Sequence, residues 1–460
     1  MSSKHPFYSN RRSFLTLASA GVGGVLARPA VARSFVQTGQ NEKLRTAHIG
    51  VGGMGAGDLR SIASHKSVEV AALCDVDSSR LAQAAAKHPK AKTFADFREM
   101  LATLGDKIDA VIVSTPDHTH APAAMSAMNL GKPVYCQKPL THEAFEARRL
   151  REIAAEKNLV TQMGVQAHSG QAYREAVAIV QSGDLGKISR VLAWSNKNWG
   201  FDGQQLPPST PPPENLNWDL WLGTAAERDY VPGVYHPGAW RKMIDFGTGT
   251  LGDMGVHIFN TPYTALELTA PNWVRTTCRA PTGIGQPEAN KVEYEFPGTK
   301  HTTETLSWVW FDGSLAPPPN QELGLPAAEQ LPAQGSLFVG ENGTLLLPHV
   351  DSAKLFPEQQ WADYKRPEVG GNNHYHQFVD ACLGNTKTSM PFQLGGPLTE
   401  ALLLGIVANR FPDEKLMWHA SDMTFKNSAE ANKLIHREYR QGFEVENLSH
   451  MLSSERSTTS

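Results

Sequence analysis

The stretch that decides the fold is Leu44–Gly55, "LRTAHIGVGGMG". A short apolar run passes directly into glycines spaced Gly50, Gly52 and Gly55, the pattern G-x-G-x-x-G between a first strand and a first helix. In that context the glycines permit a tight turn and let the backbone approach a pyrophosphate at the helix N-terminus. Gly53 and Met54, inside the same turn, join Gly50, Gly52 and Gly55 as expected cofactor contacts.

Working outward, short β-branched runs alternate with helix-length segments. "VEVAALCDV", "DAVIVSTP", "KPVYC" and "LVTQMGV" read as strands, with helices between them, until about Gln166. That alternation specifies a parallel, doubly wound sheet. The second strand ends at Asp75, about 25 residues after the glycine turn, where a carboxylate can accept hydrogen bonds from a ribose diol. The same charge would repel a 2′-phosphate, which favours NAD over NADP, although Arg80 is close by. Ser114, Thr115 and Pro116 fall at the carboxyl edge of the sheet, where open α/β folds bind ligands. His118 and His120 follow them. Without a carboxylate-rich cluster, helix capping or cofactor contact suits these histidines better than a metal, and no metal is expected anywhere in the chain.

Past Gln166 the texture changes to longer strands with fewer helices, such as "KISRVLAWSNKNW", "KVEYEFPG", "TETLSWVWFDG" and "GSLFVGENGTLLLP". Mostly antiparallel pairing follows. Trp194, Trp308 and Trp310 read as core of that sheet, and helices are expected over Leu251–Leu268 and Asn373–Cys382. The proline-rich stretches, "LPPSTPPPENL" and "LAPPPNQELGLPAAEQLPAQG", read as surface loops. The resulting organisation is an α/β fold. A signal-like segment covers 1–32, a linker 33–42, a dinucleotide-binding domain 43–167, an α+β substrate and oligomerisation domain with an open-faced sheet 168–445, and a flexible tail 446–460.

The composition narrows the partners. The 460 residues are 40% apolar with a formal net charge of −3 and no basic stripe, so neither nucleic acid nor an anionic membrane has an electrostatic handle. Four cysteines without CxxC spacing point to core packing rather than zinc or a disulfide framework. At the N-terminus Arg11 and Arg12 precede Phe14 and Leu15, a weakly apolar Gly/Ala-rich stretch and Ala30-Val31-Ala32, the layout of a Tat export signal. No stretch of about 18 uninterrupted apolar residues offers a membrane span.

Taken together, Gly50–Gly55, Asp75, "STPDHTH", Gln137-Lys138-Pro139 and "GTGTLGDMGVH" resemble the Gfo/Idh/MocA oxidoreductases, from about Leu44 to Phe411. The resemblance implies a Rossmann domain followed by a substrate domain that builds dimers or tetramers. In the family the fifth strand ends in Glu-Lys-Pro, and its lysine meets the nicotinamide ribose and the reacting hydroxyl. Lys138 takes that place, with Gln137 standing where the family has glutamate. An amide can still bind a ribose but brings no charge to hold the ammonium.

The resemblance also implies that Asp253 and His257, at i and i+4, share one helical face in the second domain. Oxidising a secondary alcohol needs a hydride acceptor, a base and stabilisation of the developing alkoxide. His257 suits the base, Asp253 its orientation or a substrate hydroxyl, and Lys138 the alkoxide. Tyr235, Trp240 and Arg241 offer aromatic faces and hydrogen bonds suited to a sugar or polyol. His374 and His376 are further candidate contacts. The expected activity is that of an exported, periplasmic NAD-dependent oxidoreductase on a carbohydrate, with the cofactor retained because free NAD is scarce outside the cytosol. The alternatives are a redox-assisted glycosidase using the same residues, and a cofactor-bearing binding protein without turnover, suggested by Gln137.

Overall fold

The computed structural model describes residues 43–449. The expected export signal (1–32) and linker (33–42) lie outside the described residues, as do 450–460 of the expected tail.

Residues 44–164 form the doubly wound sheet that the glycine turn calls for. The strands β1 (Leu44–Ile49), β2 (Val68–Cys74), β3 (Lys92–Phe94), β4 (Ala110–Val113), β5 (Val134–Gln137) and β6 (Thr161–Gly164) pair in parallel in the order β3-β2-β1-β4-β5-β6. Helices α1 (Met54–Ala63), α2 (Ser78–Lys87), α3 (Phe97–Leu104), α4 (Asp117–Asn129) and α5 (Ala144–Glu156) make the crossovers. Every residue of β4, β5 and β6 is buried, as expected for parallel strands covered on both faces. The strand order reverses between β1 and β4, so their carboxyl ends open a crevice.

After α6 (Gln171–Ser182) comes the second sheet, of nine strands. They are β7 (Ile188–Ser195), β8 (Trp273–Thr277), β9 (Lys291–Pro297), β10 (Thr302–Asp312), β11 (Gln334–Gly340), β12 (Thr344–Pro348), β13 (Lys354–Phe356), β14 (Leu416–His419) and β15 (Thr424–Phe425). All pairs are antiparallel except β7 with β10. Trp308 and Trp310 are fully buried and Trp194 nearly so, in the sheet core.

Three sequence expectations change. The stretch read as a proline-rich surface loop carries Leu323 and Leu325, which are buried against Leu192, Trp194, Phe311 and Phe356, so it covers part of the sheet face expected to be open. The helix over Leu251–Leu268 begins as a π-helical turn, Leu251–Gly255, before the α-helix Val256–Ala265. Elements from the second part of the chain also return to the first sheet. Helix His374–Cys382 forms as expected behind an Asn373 cap, but Phe378, Val379 and Cys382 pack with Leu44, Ile112 and Tyr135 of the first sheet. Likewise Val445 and Leu448 are buried, so the chain up to Ser449 is folded rather than tail.

Candidate active site

One cavity of about 450 Å³ runs along the crevice at the carboxyl ends of β1, β2, β4 and β5. Gly50, Gly52, Gly53 and Met54 line it. The turn is tight enough to exclude side chains: a Cβ on Gly50, at φ +80°, would lie 2.6 Å from the Ser114 carbonyl oxygen. Gly55 does not face the cavity but makes the turn fit, since a Cβ there would come within 2.0 Å of the Gly50 carbonyl. Asp75 sits at the wall and accepts hydrogen bonds from Val51 N (2.8 Å) and Asp77 N (2.9 Å), while burial pushes its pKa up. Arg80 lies flat against Gly52, at the cavity mouth.

Ser114, Thr115 and Pro116 line the cavity as expected. His118 and His120 do not. Both are fully buried on the inner face of α4, with His118 Nε2 donating to the Trp221 carbonyl (3.0 Å) and the two ring nitrogens of His120 each 2.8 Å from a carbonyl, of Pro139 and Thr115. They tie the loops behind the wall together, which corrects their assignment as cofactor contacts. The neighbour that matters is Asp117, whose carboxylate accepts from Thr248 N (3.2 Å) and Oγ1 (2.7 Å), pinning the second domain's glycine run to the start of α4.

At the far end stand Gln137 and Lys138, both on the cavity wall. The Lys138 ammonium does not depend on residue 137 for a counter-charge. It donates to Asp253 Oδ1 at 2.7 Å and to the Asp253 carbonyl at 2.9 Å, and Arg241 Nε reaches the same Oδ1 at 3.2 Å. Burial raises the Asp253 pKa, but the Lys138 and Arg241 charges outweigh it and hold this carboxyl well below the usual range. The π-helical turn places Asp253, and the α-helix that follows carries His257. Burial, then the positive charge of Lys138, push the His257 pKa well below its ordinary value, so the ring is neutral near pH 7. Its Nδ1 is buried without a hydrogen-bond partner. Asp253 and His257 are not on the cavity wall, which ends at Lys138, Trp240 and Arg241.

Of the residues expected at the substrate, Trp240 and Arg241 line the cavity, with the guanidinium 4.4 Å from the centroid of the Trp240 ring. Tyr235 is displaced from that role: it is 1% exposed, packed among Trp218, Trp221 and Phe246. His374 is buried between Ser169 and the Met163 carbonyl, and His376 meets Ser64, the residue that follows α1.

The structure adds further residues to the site. His349, just after β12, stacks obliquely 5.5 Å from His257 and receives the Tyr173 hydroxyl at 2.6 Å. His236 reaches Asp77 Oδ2 at 3.0 Å across the cavity mouth. Phe443 and Val445 wall the cavity near Asp96 and Phe97, with Arg98 bonded to the Gly442 carbonyl and its guanidinium over the Phe443 ring. Among the described residues there is no group of three or more His, Cys, Asp or Glu placed to hold a metal, and no helix long and apolar enough to cross a membrane.

The chain is similar to known proteins in sequence and in fold. Curated relatives include the inositol 2-dehydrogenase of Salmonella typhimurium (strain LT2), 32% identical over 149 residues, which are 31% of this chain and 43% of that protein. Inositol 2-dehydrogenase 2 of Saccharopolyspora erythraea is 33% identical over 169 residues, 35% of this chain and 46% of that one. The chain thus matches less than half the length of either relative. In fold it is similar to the WlbA dehydrogenase from Bordetella pertussis in complex with NADH and UDP-GlcNAcA, with a TM-score of 0.58 and 15% identity over 82% of this chain and 99% of that one. It is similar too to the aldose-aldose oxidoreductase from Caulobacter crescentus complexed with glycerol, at a TM-score of 0.55 and 12% identity over 82% and 100%. Residues 44–165 match the NAD-binding Rossmann-fold model of the Gfo/Idh/MocA oxidoreductases and residues 171–275 the C-terminal alpha/beta domain model of the same family. Both domain models of the Gfo/Idh/MocA oxidoreductase family are thus matched, in order, within residues 44–275 of this chain.

Proposed function

We propose that the protein is an exported, periplasmic oxidoreductase that keeps its NAD and acts on a secondary alcohol of a sugar, polyol or glycoside. The observation that carries this reading is the meeting of Lys138 with Asp253 at the end of a cavity whose other end is a glycine turn too tight for any side chain. The turn fits a pyrophosphate backbone, and Asp75 fits a ribose diol better than a 2′-phosphate, so NAD is preferred to NADP. Bound there, NAD would supply the hydride acceptor.

The remaining chemistry belongs to this chain. His257, kept neutral by burial and by Lys138, can take a hydroxyl proton. Lys138 presents a positive charge to the oxygen that becomes negative, and Asp253, whose carboxylate also accepts from Arg241, holds that ammonium in place. Trp240 and Arg241 provide an aromatic face and donors for a hydroxylated ring. The inositol 2-dehydrogenases among the relatives make a cyclic polyol the first substrate to try.

Retention of the cofactor is supported by two segments from the second half of the chain. His236–Gly238 and Phe443–Val445 both contribute to the cavity wall, so a dinucleotide would be enclosed from two sides. Export rests on the twin-arginine N-terminal sequence. The test is to denature the purified protein in acid and look for NAD in the supernatant, then to add myo-inositol and a panel of sugars and glycosides to native protein. Stoichiometric NAD and reduction of the bound nicotinamide by one of them is the expected result. Absence of nicotinamide by mass would remove the retained-cofactor reading, and a silent panel the carbohydrate one.

A further inference from the structure

We propose that Asp58, on α1, is a positioning residue for the reacting end of the cleft, fixing the Gln137 amide and the Ser114 hydroxyl, and that it is the reason position 137 carries an amide. The inference rests on the reading of the cavity as an NAD site.

Asp58 has no exposed surface. It receives three side-chain hydrogen bonds, each from a different element: Ser114 Oγ beyond β4 at 2.6 Å, Gln137 Nε2 at the end of β5 at 2.8 Å, and the Tyr375 hydroxyl of helix His374–Cys382 at 2.9 Å. Ser114 and Gln137 are on the cavity wall. Burial raises the Asp58 pKa while its three donors, Ser114, Gln137 and Tyr375, act the other way; with only donors facing it, the carboxylate accepts from all three and so sorts the two ends of the amide. With Nε2 committed to Asp58, the Gln137 Oε1 is turned to Lys138 N, at 3.3 Å. The amide therefore runs from helix α1 to the backbone of the reactive lysine. It has little room to turn otherwise, because it lies over Gly164, where a Cβ would come within 2.9 Å of Gln137 Cδ.

A glutamate at 137 would bring a second carboxylate oxygen to the place of Nε2, 2.8 Å from Asp58 Oδ2 and away from water. Two such groups cannot both be ionised, and the pair would hold a proton. The negative charge in this part of the site thus stands on the helix that follows the glycine turn rather than on the strand. The titratable groups around Asp58 do not confuse the assignment. Burial pushes up the pKa values of Tyr375, Tyr135 and Cys136, so these three stay neutral from pH 5.5 to 8; it lowers that of His120, whose titration is common to wild type and the variants compared.

The experiment compares wild type, Gln137→Glu, Asp58→Asn and the exchange Asp58→Asn/Gln137→Glu in the full chain, by NADH titration and by thermal melting at pH 5.5 and 8. Gln137→Glu is expected to lose about tenfold in NADH affinity at pH 8, the scale of one charge-assisted hydrogen bond. The loss shrinks at pH 5.5, where a protonated carboxyl donates as the amide did. The exchange variant, with donor and acceptor swapped, returns to within about threefold of wild type. A purely structural role would not make the affinity deficit depend on pH. Wild-type affinity in Gln137→Glu at pH 8, or an exchange variant no better than Gln137→Glu, overturns the proposal. If wild type binds neither NADH nor NADPH, the NAD reading fails instead. Melting then decides the pair, since Gln137→Glu must lose more Tm at pH 8 than at pH 5.5 and regain it on exchange.

Discussion

The two ends of the cavity are made of different material. At the nucleotide end the turn is held by backbone: Gly50 and Gly55 without room for a Cβ, strand ends, and an Asp75 carboxylate held by main-chain donors, with Arg80 laid against Gly52. At the reacting end it is long charged side chains, Lys138 from the first domain and Arg241 from the second, both leaning on the Asp253 carboxylate of the second. Backbone keeps its shape whatever is bound, whereas an ion pair can exchange partners. The first end is suited to holding a cofactor through many turnovers, and the second to receiving an oxygen whose charge changes during the reaction.

Gly55→Ala tests the rigid end and should have the largest effect. Its Cβ would lie 2.0 Å from a backbone oxygen that cannot move aside. Overpacking of this kind costs about 3 kcal/mol, so NADH affinity should fall about 100-fold. Gly57→Ala, two residues on with nothing within 4 Å of its added Cβ, is the control and should bind NADH as wild type does. Binding by Gly55→Ala within about threefold of wild type would mean that the turn is softer than its contacts imply.

Asp253→Asn tests the other end. Its loss leaves the Lys138 ammonium, 15% exposed, with an amide in place of its counter-charge. Turnover of whichever polyol or sugar wild type oxidises should drop about 100-fold, the scale of misplacing an electrostatic group, with NADH affinity changed by less than about threefold. If affinity and turnover fall together, the two ends are coupled and the contrast between them is lost.

How far the sequence reveals each end follows from the same contrast. The glycine turn, the parallel strand order and the serine-threonine-proline edge are local: glycine spacing and burial period dictate them, and Gly50, Asp75, Ser114 and Lys138 stand on the wall where the sequence puts them. Contacts made by one side chain across hundreds of positions have no such period. Asp58 meets Tyr375, and Asp77 meets His236, through pairings that only the folded chain brings together. His118 and His120 mislead for a related reason: a histidine bonded to buried carbonyls and a histidine facing a ligand look alike in sequence. Tyr235 misleads because an aromatic suited to a sugar ring is equally suited to a core of tryptophans.

The smallest effect, and the sharpest probe of the reacting end, is the titration of His257. Burial is the first cause of its lowered pKa and the Lys138 charge the second, followed by His349, with Asp253 acting the other way. Removing only the lysine charge, in Lys138→Gln, should raise the pKa part of the way toward the ordinary value and no further, because the burial remains. Histidine NMR reads this directly: the wild-type ring should stay neutral through the range where an exposed histidine titrates, and the variant should begin to titrate at its lower edge. The sign carries into stability. A histidine whose folded pKa is depressed favours the unfolded chain as pH falls below the ordinary histidine value, because the unfolded ring takes the proton first. Lys138→Gln should therefore lessen the acid-side loss of Tm that His257 contributes. If the variant ring titrates where the wild-type ring does, Lys138 does not tune this base, and the reacting end is set by burial, as the nucleotide end is set by backbone.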